Sequence, residues 1–221
     1  MDIDKDKLAA KELASKLTKK QKAEYIWQYY KLHITVALFV IICITSLVVG
    51  KINEKDNLLN VTVYGAGINI DNFEKLSEKA YEELIDDKDK TDMLMSFENN
   101  SGATSYMSNQ KITVQMAAGE LDVLILSKSE FELLASNGAF IDINELSGLS
   151  SETSEKLNYV LYKVPEADTT EKAYGIDLSN FDIFDELQYS EKDPVLTVLS
   201  NSERKEMAAK FIEWLYNQKS L

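Results

Sequence analysis

Leu121-Asp-Val-Leu-Ile-Leu126 is the stretch that decides the fold: a near-continuous apolar run of the kind found in a strand buried on both faces of a parallel sheet. Its neighbours alternate in type. Upstream, a helix over roughly 104–118 leads into it. Before that helix stand the short strand Met93-Leu-Met-Ser-Phe97 and the polar turn Glu98-Asn-Asn-Ser-Gly102. Phe73, Leu76, Ala80 and Leu84 form one face of an earlier helix, which the capping box Asp71-x-x-Glu74 is expected to open. The first strand, Asn60-Val-Thr-Val-Tyr-Gly65, ends in a Gly-Ala-Gly turn. Downstream, Ser127-x-x-Glu130 caps a helix that turns Phe131, Leu134 and Ala135 inward. This order predicts an α/β domain with a mostly parallel sheet and right-handed crossovers.

The remainder is less regular. Ala139-Phe-Ile-Asp-Ile143 reads as a short strand, and Tyr159–Val164 and Lys172–Leu178 are expected to pair around residues 165–170. Asp193-Pro194 breaks the chain before the strand Val195–Leu199, and a helix over about 203–219, capped by Ser200-x-x-Glu203, ends it.

With 45% hydrophobic residues among 221, the chain is too apolar to be disordered. Its net charge of −13 makes it a poor nucleic-acid binder, since phosphate backbones are held by clustered Lys and Arg. The lone Cys43 excludes an internal disulfide or a cysteine zinc site, and the single His33 leaves no pair for a metal. No cofactor is implied.

The charge is also unevenly placed. Residues 1–31 hold eight of the 24 Lys and Arg and five of the 37 acids, a local net of +3. Residues 51–221 hold the other sixteen and thirty-two, a net of −16. Between them, residues 32–50 contain no Lys, Arg, Asp or Glu. Nineteen helical residues span about 28 Å, close to a bilayer's hydrocarbon thickness of roughly 30 Å. A core helix would keep a polar stripe; this segment has none. It is expected to span the lipid bilayer as a single pass.

Lys16, Lys19, Lys20, Lys22 and Lys31 precede it, as do Tyr25, Trp27, Tyr29 and Tyr30, which favour the headgroup layer. That places the N-terminus in the cytoplasm and the acidic part outside the cell membrane. A cleaved signal peptide fits poorly, because over thirty residues precede the apolar run. Ile42 before Cys43 also argues against a lipid-modified cysteine. Leu8, Ala9, Leu13, Ala14 and Leu17 suggest a cytoplasmic helix, read equally well as a frayed tail. Asp2-x-Asp4-x-Asp6 lacks the Gly and closing Glu of a calcium loop. The expected organisation is a basic cytoplasmic segment over 1–31, a membrane helix over 32–50, a linker over 51–59 and an extracytoplasmic domain over 60–221.

Gln110–Leu126, with a helix ending in Ala-Ala-Gly before an Asp-Val strand, resembles a stretch of the extracellular solute-binding proteins of the periplasmic-binding-like type 2 family. Their usual Pro-Asp-Val is Leu121-Asp122-Val123 here. Phe131–Leu146 is similar to their helix, Gly and Asp-Leu segment. Lys172-Ala-Tyr-Gly-Ile176 resembles their Tyr-Gly-Val/Ile-Pro strand, with Asp177 in place of Pro. Ala208–Leu215 resembles the late helix that returns to the first lobe, which implies that Val123, Ile125, Phe131, Phe211 and Leu215 are buried together in that lobe. The resemblance implies a domain that binds solutes for a membrane transporter. Two-lobed members need roughly 250–400 residues, so the chain resembles one lobe, tethered to the membrane.

In an open parallel sheet, ligands sit beyond the carboxyl ends of the strands. Those ends carry Gly65, Ala66, Asn99, Asn100, Ser101 and Ser127, and Tyr174 is a candidate for stacking on a ligand. The same Gly, Asn and Ser residues are ordinary turn formers. Two function classes follow. One is a binding or docking module with a partner such as a transporter permease and an uncertain small-molecule ligand. The other is an assembly subunit that binds only protein. No spacing singles out a carboxylate pair for hydrolysis, and an enzyme is not expected.

Overall fold

A computed structural model describes residues 18–52, 55–102, 105–165 and 167–218 and divides the chain into two units, Met1–Glu54 and Lys55–Leu221. In the first unit, the described residues form one helix, α1 (Lys19–Ile52). Its stretch Tyr30–Val49 is long and apolar enough to cross a membrane. Every side chain from Leu32 to Val49 is exposed. The Thr35 and Thr45 hydroxyls donate to the carbonyls of Lys31 and Ile41, so these polar groups are satisfied within the helix itself. From Lys19 onward the basic segment runs into the apolar one within this single helix. The expected helix around Leu8–Leu17 and the Asp2-x-Asp4-x-Asp6 motif lie outside the described residues.

The second unit is built on β1 (Asp56–Gly65), α2 (Ile70–Leu84), β2 (Thr91–Asn99), α3 (Ser105–Ala117), β3 (Val123–Ser127) and α4 (Lys128–Ala135). A 3-10 turn (Ile143–Glu145) and α5 (Ser151–Lys156) follow, then β4 (Tyr159–Tyr162), β5 (Lys172–Asp177), α6 (Asp182–Glu186), β6 (Pro194–Val198) and α7 (Lys205–Asn217). The strand order is β2-β1-β3-β6-β5-β4. β1 therefore starts within the stretch expected to be a linker.

The sheet is mixed, which corrects the expectation of a mostly parallel one. β1 pairs in parallel with β2 and β3, but β3–β6, β6–β5 and β5–β4 are all antiparallel. All five residues of β6 are buried. A fully covered strand reads as the same apolar run in either direction, so its sequence carries no sign of polarity. Ala139–Ile143 forms only a single bridge, Phe140 to Leu199, before the 3-10 turn.

Helices cover both faces. Along β3, Val123 and Ile125 point to one side, where Phe73, Leu76 and Ala80 of α2 and Ala208, Phe211 and Leu215 of α7 are buried. Leu124 and Leu126 point to the other, with Ile112 of α3 and Phe131 and Ala135 of α4. Phe131 is thus separated by the sheet from Val123, Ile125, Phe211 and Leu215, correcting the expectation of one shared cluster. The period of two in β3 is the cause.

Among the described residues, one charged side chain is buried in this domain. Asp122 is fully buried and accepts from the Asn60 amide at 2.8 Å and the Ser202 hydroxyl at 2.6 Å. Arg204, the only arginine in the chain, completes its shell at 3.1 Å. The helix caps partly differ from expectation. Ser127 and Glu130 form the reciprocal box. Asn69, not Asp71, caps α2, and Arg204 stands at the N-cap of α7 with no side-chain cap bond, the Ser200 hydroxyl donating to the Gly138 carbonyl instead.

Candidate functional site

The order β2-β1-β3 has a consequence at the carboxyl edge. The chain steps to one side of β1 through α2 and then to the other through α3, so β1 and β3 flank a topological switch point. The register puts Gly65 beside Asn99 of β2, and Asn100 donates its amide to the Gly65 carbonyl at 3.0 Å. Ser127 ends β3. Four of the seven candidate residues, Gly65, Ala66, Asn100 and Ser127, meet along this edge.

A polar network joins them. The Asn100 side-chain amide donates to one oxygen of Glu130, and the Ser127 hydroxyl donates to the other at 2.9 Å. The Tyr64 hydroxyl donates to Asn109. Burial pushes the Glu130 carboxyl above the usual carboxylate range, against the bonds from Ser127 and Asn100, with Glu191 adding repulsion. Burial, and then the charge of Glu130, raises the Tyr64 hydroxyl. It stays a protonated donor.

The crevice itself is filled by the chain. The Tyr189 hydroxyl donates to the Tyr64 carbonyl at 2.6 Å, and a Glu191 carboxylate oxygen accepts from the Ala66 amide at 2.7 Å. The Ser190 amide donates to Gly67 at 3.1 Å, and the Asn69 amide to Leu187 at 2.7 Å. The α6–β6 loop is therefore laced to the β1–α2 turn. Burial, then Glu191 and Glu130, raises the Tyr189 hydroxyl. Beside this lacing, the groove lined by Phe184, Tyr189 and Glu191 measures about 280 Å³, just below the ordinary size of a small-molecule pocket, roughly 300–1,000 Å³.

Three candidates behave differently. Asn99 accepts from both the amide and the hydroxyl of Ser101, at 2.7 and 2.6 Å, so this pair builds a local turn. Tyr174 lies on β5, separated from β3 by β6, and is only 7% exposed. Its hydroxyl donates to Asp168 at 2.8 Å, and burial, followed by that bond, pushes it up to about 12. Its ring is committed to the core rather than to the strand-end group. Tyr64, Tyr189 and Glu191 carry much of the network and were not expected. Tyr64 stands in the quoted strand, but nothing local to Tyr189 or Glu191 marks them. Among the described residues, no group of His, Cys, Asp and Glu is placed to hold a metal ion.

No family model and no curated protein matches the sequence. Two solved structures resemble it slightly. An extracellular solute-binding protein family 1 member from Alicyclobacillus acidocaldarius shares 14% identity at a TM-score of 0.34, over 56% of this chain and 29% of its own. The substrate binding domain of a molybdenum ABC transporter from Clostridium difficile shares 14% at 0.35, over 74% of this chain and 93% of its own. The chain thus spans under a third of the first structure's length.

Proposed function

We propose that this chain is a membrane-anchored docking module whose extracytoplasmic α/β domain recognises a protein partner in the membrane and catalyses no reaction. The observation that carries this reading is the strand-end crevice, occupied by Tyr189 and Glu191 of the chain itself. A surface closed in this way offers contact area to a protein and little enclosure to a solute. α1 supplies the anchor, crossing the bilayer with its Lys-rich end in the cytoplasm. Residues 51–221 contain no His or Cys, so the commonest general base and the strongest nucleophile are absent from the domain. The sequence resemblance to solute-binding proteins makes a transporter permease the first candidate partner. The closed crevice equally suits an assembly subunit with no small ligand.

Protease added to intact cells should remove the domain and spare an N-terminal tag; a protected C-terminus overturns the orientation. Crosslinking in those cells should join the domain to a membrane protein, and its failure to do so overturns docking. Calorimetry of the full chain in detergent against sugars, amino acids and peptides tests the closed crevice. Tight binding of a small solute there would reject it, and turnover of any substrate would reject the absence of catalysis.

A further inference from the structure

The other exposed border of the sheet is the outer side of β2. We infer that this edge, with the groove beside it, is a strand-addition site for an extended basic segment of a partner protein, with Lys or Arg at alternate positions. The inference belongs to the docking reading and supplies the chemistry of the contact.

β2 is nine residues long and bonded on one side only, whereas the opposite edge strand, β4, has four residues. Because the Asn100 amide bonds the Gly65 carbonyl, the parallel alternation assigns residues 94, 96 and 98 to β1. Residues 93, 95 and 97 turn their backbone groups outward. The Met93 amide is taken by Asp92 at 2.8 Å, which leaves Met95 and Phe97 as the free rungs of the ladder among the described residues. Edge strands are normally blunted by Lys, Pro or a covering element. Thr91–Asn99 contains neither residue.

The surroundings specify what fits. Between α2 and β2 runs a groove of about 400 Å³ with Phe73, Met95 and Phe97 among its lining; among the described residues, its charged lining groups are Glu74 and Glu78. On the other face of β2, Leu94 is 56% exposed. A strand added here presents alternate side chains to these two faces. Those over the groove lay an aliphatic stem along Phe73 and Phe97 and bring a cationic head to Glu74 and Glu78, as Lys and Arg do. Those between them cover Leu94 and are apolar, best β-branched. A second copy of the chain fits worse. Its own β2, Thr91–Asn99, carries no Lys or Arg to set against Glu74 and Glu78.

The test uses the full chain in detergent and a short capped peptide alternating Lys and Val, with a block-ordered peptide of the same composition as control. The alternating peptide should bind saturably, slow hydrogen exchange in the 93–99 segment, and weaken with added salt. Glu74→Lys with Glu78→Lys should weaken it about tenfold, and Leu94→Lys, at an exposed position, should weaken it similarly. Equal binding of both peptides, unchanged exchange in 93–99, indifference to all three substitutions, or no binding at millimolar peptide overturns the inference. Such a failure leaves docking through another surface intact, because that reading stands or falls on crosslinking in cells.

Discussion

At Gly65 the missing side chain is what lets the α6–β6 loop close on the sheet. A Cβ there would meet Tyr189 Cε2 at 2.7 Å and Glu191 Cγ at 2.9 Å. Gly65→Ala should cost about 1–3 kcal/mol by urea unfolding followed through Trp214 fluorescence, since overpacking forces the ring and the carboxylate to move. A cost near zero would mean the loop is not seated as described. Glu130 gives a pH signature. Burial raises its carboxyl in the folded protein, so the native state binds that proton more tightly than the unfolded chain does. Its contribution to stability is therefore greatest when protonated and declines as pH rises from the unfolded value, about 4.3, through the folded one. Glu130→Gln keeps a neutral group at every pH. Its stability relative to the wild type should rise as pH climbs above about 4.3 in paired denaturation curves, and a flat difference would contradict the burial.

Among the elements, the junction of β3 with α7 depends on one ion pair. Arg204 also donates to the Asn57 carbonyl at 3.1 Å, so a single guanidinium ties the start of α7 to β1 and to buried Asp122. Arg204→Ala leaves that carboxylate uncompensated and should cost about 3 kcal/mol, at the low end for a broken buried pair because Ser202 and Asn60 remain. Arg204→Lys should recover part of the loss, since one ammonium cannot serve both acceptors. The two helix layers offer a second test. Phe211→Ala should cost about 3–5 kcal/mol. The milder Phe211→Leu and Phe131→Leu should add to within about 0.5 kcal/mol when combined, because the sheet lies between them. Strong coupling in that double variant would place both rings in one cluster. The helices themselves were readable from their apolar periodicity, as was the Ser127–Glu130 box, whose two partners are three residues apart. The cap of α2 was misread because Asn69 and Asp71 are both good capping residues two positions apart, and only the backbone decides between them.

In the whole molecule, the two units answer to different physics. The apolar run of α1 is legible by itself, because its length, its lack of charge and its lack of a polar stripe are all read from consecutive residues. The first three strands and their helices are legible too, since each crossover is local and its pattern repeats within some thirty residues. The carboxyl edge was legible as a place, and Gly65, Ala66, Asn100 and Ser127 do gather there. What fills that edge was not. By itself the sequence determined the apolar helix, the acidic α/β domain and the parallel half of its sheet, because periodicity and charge act over neighbouring residues. Only the tertiary structure decided the antiparallel half, the separation of Phe131 from Phe211, and the closing of the crevice. The bonds that close it join residues 125 positions apart, and no local pattern records a contact made across that distance.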